Sequence, residues 1–485
     1  MSGELKYPKS RGQRRVLSAR PATVWEIAIM IHVSVLFLGT TWMFGGASPA
    51  ARTLISWWGS LGILLLVIGL GDKNLRKDAN LRSLVFIIPA VLLNAVVFVS
   101  CHTLNFRPVD WDSQAYLIKQ TTSMFVPSTV SEGDSLRALW LFDGIYFSCI
   151  NLVIGINLRR VLRTLLVLIA ANATLLAVFG TFQNLTHAEG LYFGAVKSPQ
   201  SHFFASFVYH NHWGAFAILC LCVVLGLIVR AYRRGSTEEL VKSSHSLALI
   251  AVALIALSIP LSTSRSCSAL AAALLLGAAL RWVISSARRR KASNESMLVP
   301  IVAGVVGTAI MLAAVWFVAG DTIQTRWDLT RTQVSTMQAK GSIGSRMQLY
   351  HDTWTMAKEL PLFGWGMGSY PHVFTVFNTQ VSNADRLPVF YHDAHSDWLQ
   401  SLGELGFVGT GLIVLCAVLP LISVLRRSAE GPLPFCLLTG CASIVLYSAV
   451  EFPFGNPAVV LTWWMLFFTA IRYLQLEPVE PRPAA

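Results

Sequence analysis

Residues 395–425 read HSDWLQSLGELGFVGTGLIVLCAVLPLISVL. From Leu405 onward the stretch is almost wholly apolar, and about 20 such residues in a helix cross the hydrocarbon core of a bilayer. Inside lipid every backbone amide must find its partner within its own segment, so a continuous apolar run reads as a helix. A barrel strand would alternate instead. His395, Ser396 and Asp397 stand at the mouth of this helix, with Ser396 its expected N-cap.

Runs of the same kind recur on both sides of it. They lie near 24–44, 53–71, 83–102, 139–157, 163–183, 212–230, 246–262, 266–284, 298–319, 397–425, 433–450 and 457–475. Hydrophobic residues make up 54% of the 485 positions and charged ones 13%, against about 25% charged in a soluble domain. The expected fold is an all-α, polytopic integral membrane protein with about 12 transmembrane helices. The first run, 24–44, is too long for the core of a cleavable signal and reads as a true span.

The formal net charge of +13 invites a nucleic-acid reading, which its placement opposes. Most of the 38 Lys and Arg gather in 1–23, 72–82, 158–163, 230–245, 281–297, 426–432 and the tail. These short segments all fall on one side if the spans alternate. Such a bias orients a membrane protein and meets anionic lipid, so both termini are expected to be cytoplasmic. The division is then a basic N-terminus 1–23, N-terminal helices 24–200, a second helical region 201–475 with a long outer loop 320–396, and a cytoplasmic tail 476–485. The eight cysteines contain no CxxC pair and lie mostly in spans, where they read as small packing residues.

The outer side owns the unusual segments: the loop 103–138 with Trp111, Asp112 and Tyr116, the approach to Tyr209-His210-Asn211-His212, the turn around Arg265, the loop 320–396, and Glu451-Phe452-Pro453-Phe454. Within 320–396, Ser345 and Gln348 have capping-box spacing, which predicts a helix from Ser345 to about Leu360, stopped by Pro361. Arg346, Tyr350, Trp354 (with Thr353) and Ala357 share one side of it. A turn rich in glycine follows at Gly364, Gly366 and Gly368.

Three residues invite a chemical reading. Arg265, between Ser264 and Ser266, can hold an anion through its planar fork; an arginine merely snorkelling from the membrane edge explains it equally well. Arg346 adds a full charge beside the free N–H groups of a helix start, which favour anions; the alternative is a solvated side chain. His395 can take a proton from a hydroxyl, with Asp393 and Asp397 orienting it, or all three can simply shape the helix entry. His392-Asp393-Ala394-His395 and His210-Asn211-His212 do not make a complete ligand set, so no metal is expected. Gly403, Gly406 and Gly409 read as a small-residue stripe for a neighbouring helix. Glu404 falls about 180° around a regular helix from His395 and is expected to pair elsewhere.

In their order and spacing these residues resemble the O-antigen ligase and O-unit polymerase family. The likeness covers about 200–470. It rests on His395 and Ser396 followed by Gly406 and Gly409, on the helix and turn with Arg346, Trp354, Pro361, Gly364, Gly366 and Gly368, on the Ser-Arg turn at Arg265, and on the segment around Asn211. The first 180 residues match only in hydropathy.

The resemblance implies a GT-C-like glycosyltransferase of the bacterial inner membrane, with a helical periplasmic loop over its site. It implies transfer of a glycan from an undecaprenyl-diphosphate carrier without a metal or other cofactor. The acceptor would be lipid A-core, another lipid-linked repeat or another hydroxyl. Arg265 and Arg346 would then bind the lipid diphosphate and His395 would be the base. Asn211, His212, Tyr350, Ser396 and Asp397 would line the acceptor side. Membrane lipids are the other partners, and nucleic acid is not expected. The competing reading is a transporter or flippase of lipid-linked glycan, which calls for ionisable residues within the spans, where Asp143 and Glu404 are the main ones.

Overall fold

The computed structural model describes residues 21–103, 106–107, 119–120, 125–232, 244–292, 344–380, 389–425 and 431–476, with scattered positions between 296 and 332. It is an all-α membrane protein. The helices are α1 Val24–Trp42, α2 Pro49–Gly71, the short α3 Lys73–Lys77, α4 Ile88–His102 with a 3-10 turn before it, α5 Glu132–Ile154, α6 Arg159–Leu185, α7 His210–Tyr232, α8 Ser244–Leu261 and α9 Arg265–Ala292. The loop helices α10 Ser345–Glu359 and α11 Tyr370–Phe377 follow, then α12 Asp397–Val424, α13 Pro432–Tyr447 and α14 Pro457–Gln475. Phe106–Arg107 and Lys119–Gln120 pair as a two-residue antiparallel ladder.

Among the described residues 9 helices are long and apolar enough to cross a membrane, and two shorter apolar helices, Leu247–Leu261 and Pro432–Tyr447, accompany them. Eleven of the twelve expected spans thus coincide with apolar helices. The expected span 298–319 lies largely outside the described residues, as do Trp111, Asp112 and Tyr116, the first 20 residues and the tail from 477.

Helix α14 runs through the centre of the bundle, with nearly all its side chains buried. Lipid tails are as apolar as leucine, so association here depends on close backbone approach and polar contacts. A Cβ on Gly59 of α2 would sit 2.5 Å from the Cα of Gly144 on α5. One turn on, the Asn151 amide donates to the Gly62 carbonyl at 2.9 Å, and His32 of α1 meets the Ser148 hydroxyl at 2.9 Å. All eight cysteines are free and six are buried.

The two ends of the bundle differ in character. One carries Lys73, Arg76 and Lys77 beyond α2, Arg159, Arg160 and Arg163 at the start of α6, and Arg230 near the end of α7. The other gathers the starts of α7, α9, α12 and α14, the end of α13, and the loop helices.

At that second end α12 departs from a regular helix. Gly406 has φ 60 and ψ −167, a conformation open essentially to glycine alone. The loop backbone enters the break: Phe407 N–H donates to Pro361 O at 2.8 Å, Val408 N–H to Leu362 O at 3.0 Å, and Trp365 N–H to Gly403 O at 2.9 Å. Glycine is needed on both partners, because a Cβ on Gly406 or on Gly364 would lie 2.4 Å from the opposing backbone. Of the three glycines expected to form a helix-packing stripe, Gly406 receives the loop backbone, Gly403 faces Met356 of α10, and Gly409 faces Leu405 of its own helix. Glu404, also on α12, pairs as expected away from His395: its buried carboxylate accepts Gly368 N–H at 2.8 Å and Tyr370 N–H at 3.2 Å. Leu349, Met356, Leu360, Trp365, Tyr370, Val373 and Phe374 close a small apolar core beneath α10 and α11.

Candidate active site

Four segments distant in sequence meet at one buried carboxylate, Glu451, whose side chain is 3% exposed. It follows α13, where the chain turns toward the 3-10 turn Pro453–Gly455 that precedes α14. Arg346, in the first turn of α10, donates from Nη2 to Glu451 Oε1 at 2.6 Å. Asn211, in the first turn of α7, donates from Nδ2 to the same oxygen at 3.0 Å. His395, just before α12, places Nδ1 3.6 Å from Glu451 Oε2. That exceeds hydrogen-bond distance, and both atoms are buried without a hydrogen-bond partner.

The charges respond to this crowding. Burial alone would raise the Glu451 pKa, but His395 and Arg346 beside it hold it below its ordinary value. Burial works against the Arg346 cation too, and Glu451 more than offsets it, so the Arg346 pKa is raised. The Tyr209 phenol is pushed up by burial and then by the nearby Glu451 charge.

The backbone holds His395 firmly. Its φ is 52, in the left-handed region that few residues other than glycine enter, although histidine is among those enriched there. Ser396 is the N-cap of α12, its hydroxyl accepting Leu399 N–H at 3.4 Å. Asp397 donates its N–H to Ser448 O at 3.0 Å, and its carboxylate accepts Phe454 N–H at 3.0 Å. These bonds tie the start of α12 to the segment bearing Glu451. The His395 ring stands edge-on to Phe452 at 4.8 Å. Tyr350 Oη lies 3.0 Å from His395 O and 3.1 Å from Val450 O, fastening α10 over both.

The remaining candidates take different places. His212 Nε2 lies 3.2 Å from Phe452 O and serves the wall of the site. Arg265 opens α9 and is exposed. It adjoins Ser264, whose hydroxyl donates to Asn211 Oδ1 at 2.6 Å, so the Ser-Arg turn is linked through Asn211 to Glu451. Asp397 faces the Phe454 backbone rather than the His395 ring. Trp354 is exposed, whereas Thr353 beside it is buried and bonded to Tyr370 Oη at 2.8 Å.

Ser345 does not cap α10. Gly344, at φ 78, is the N-cap and Ser345 the first helical residue, so its hydroxyl is not placed to cap. Gln348 turns instead to Asp352 and Thr379, both at 2.9 Å.

Two residues escaped the sequence reading. Glu451 lay in a segment marked only as unusual, and an acidic residue flanked by apolar ones near a span was the available signal. Arg52, in the first turn of α2, donates to Gly455 O at 3.1 Å and braces the turn after Glu451. Among the described residues no group of three or more His, Cys, Asp or Glu is arranged to hold a metal ion.

A cationic group, a carboxamide and an imidazole thus converge on one buried carboxylate at an end of a membrane bundle. Such a set can bind an anionic leaving group and accept a proton from an attacking hydroxyl. Residues 249–414 match the family model described as O-Antigen ligase. This match supports the O-antigen ligase and polymerase family and, in general terms, a membrane glycosyltransferase. No curated protein matches the chain.

Proposed function

We propose, from this family match together with the site, that the protein transfers a glycan from an undecaprenyl-diphosphate carrier to an acceptor hydroxyl, at the periplasmic face of a bacterial inner membrane. The observation that carries the proposal is the meeting of Arg346, Asn211 and His395 on Glu451. In the reaction the acceptor oxygen bonds to the anomeric carbon as the bond from that carbon to the diphosphate breaks. The electron pair of the broken bond leaves on the diphosphate. Arg346 and Arg265 balance that growing charge, since fixed cations stabilise it without reorganising as it forms. The proton of the acceptor hydroxyl passes to the His395 imidazole. Asn211 braces Glu451, and Tyr350 fastens the loop helix α10 to the backbone of His395 and Val450.

The test is transfer in vitro by the purified full chain from a lipid-diphosphate glycan, offered lipid A-core, a second lipid-linked repeat and a hydroxyl-bearing peptide in turn. Product on lipid A-core identifies a ligase and product on the repeat a polymerase. Loss of the lipid-diphosphate donor without any product would sink the proposal, as would translocation of intact donor across a vesicle. Transfer is expected to continue undiminished in excess chelator; its loss, reversed by one particular divalent ion, would overturn the metal-free reading.

A further inference from the structure

Arg346 cannot hold two anions at full strength, and in this structure its Nη2 already bonds Glu451. On the other side of the same carboxylate, Oε2 and His395 Nδ1 face each other at 3.6 Å, both buried and both without a hydrogen-bond partner. Buried polar atoms left unpaired are costly, so two that face each other across a small gap are poised to close it. We infer that Glu451 is an exchange residue: the diphosphate draws Arg346 away, and the released carboxylate closes on His395 Nδ1. This deepens the proposed function and rests on it, since it takes Arg346 as an anion site and His395 as the base.

The chemistry follows from the two ring nitrogens. A carboxylate hydrogen-bonded to Nδ1 fixes the proton there and leaves the lone pair on Nε2. The His395 side chain is 26% exposed, so part of the ring is open to an incoming group. Nε2 then accepts the proton of the acceptor hydroxyl, while Glu451 steadies the imidazolium that forms. Before the donor binds, Glu451 bonds Arg346 and Asn211 and stands 3.6 Å from Nδ1, short of the hydrogen bond that would fix the tautomer. The base would be set only when a diphosphate is present, which suppresses proton transfer in an empty site. The arrangement can change because Arg346 is half exposed, at 52%, on a loop helix, whereas Glu451 is enclosed.

The inference is tested on the full chain in lipid nanodiscs with ¹⁵N-histidine labelling, using inorganic pyrophosphate as the probe. His395→Gln identifies the His395 signals. In the wild type, pyrophosphate should bind and move the His395 signals to the form protonated on Nδ1. In Glu451→Gln it should bind more tightly by about two- to fivefold, the scale of a part-exposed ion pair, and leave those signals where they were. Glu451→Asp, which keeps the charge, should restore part of the tautomer change. Pyrophosphate binding that leaves the wild-type His395 signals unmoved overturns the exchange while sparing Arg346 as an anion site. Equal movement in Glu451→Gln overturns it as well. Absence of binding in the wild type, or binding unaffected by Arg346→Ala, removes the anion site and the exchange with it. The wild-type measurement stands by itself if a variant fails to fold.

Discussion

Nη2 of Arg346 lies 2.6 Å from Oε1 of Glu451, across 105 residues of sequence. This bond ties the loop helix α10 to the membrane helices, and a third partner, Asn211, shares the same oxygen. In the proposed reaction this carboxylate acts through the cation and the imidazole beside it. Glu451→Gln preserves its shape and removes its charge. We expect kcat for transfer to fall by about 10²-fold, near the lower end of what acid–base catalysis contributes. KM for the lipid donor should not rise, because Arg346 is freed toward the diphosphate. A raised KM with unchanged kcat would mean that Glu451 only supports binding.

The same carboxylate predicts a pH effect on the loop. Its folded-state pKa is depressed, so its contribution to stability is present above the ordinary value of 4.5 and is lost as pH falls through the folded-state value. Protection of residues 344–360 against hydrogen exchange, taken relative to the intrinsic rate at each pH, should therefore fall on acidification below that ordinary value. The Glu451→Gln variant should lack this step. An identical acid response in both proteins would place the titration elsewhere.

His395→Ala should lower transfer by about 10²- to 10⁴-fold, the usual weight of a general base. The side chain is only partly buried and its backbone is held by Ser396, Asp397 and Tyr350. Expression and the thermal midpoint should accordingly change little. Wild-type surface glycan in cells carrying this variant would remove His395 from the mechanism.

Much of the architecture could be read from residue patterns because the membrane imposes it. Continuous apolar runs give helices, and Ser396 before Asp397 caps α12 as its residue type dictates. The candidate site was legible one residue at a time at Arg346, His395 and Asn211, but its centre was not. Glu451 bonds residues 105 and 240 positions away, and no local spacing encodes such contacts. Gly406 of α12 misled for a different reason. Small residues three apart suit a helix contact and a helix break equally, and only the loop backbone at Pro361 and Leu362 distinguishes them. At Ser345 the competing feature was Gly344, whose positive φ starts the helix one residue earlier than a serine cap would.

Arginine identity should matter more at Arg346 than at Arg265. Lysine keeps the charge but lacks the planar fork that grips a phosphate through two parallel hydrogen bonds. Arg346→Lys should lose about 10²-fold in kcat/KM, within the range for one donor to a developing anion. Arg265 is exposed at the start of α9 and is linked to Glu451 through Ser264 and Asn211. Arg265→Lys should lose less, mainly by a higher KM for the lipid donor. Full activity in both variants would end the case for either as a diphosphate ligand.

Gly406 offers a test of how far the fold itself supports the site. Alanine there must adopt φ 60 and place its Cβ 2.4 Å from the Leu362 backbone, whereas alanine at Gly411 meets nothing within 4 Å. The strained backbone alone costs about 1–3 kcal/mol. The steric overlap adds to this unless residues 361–363 withdraw, which would break the bonds from Phe407 and Val408. Gly406→Ala should therefore loosen residues 361–370, seen as faster hydrogen exchange and earlier proteolytic cutting in that segment. Transfer should fall as well, because Tyr350 and Arg346 ride on the helix that the segment anchors. Gly411→Ala should behave as wild type. If Gly406→Ala left the loop protected and transfer intact, α12 would have to be continuous through this position in the working protein.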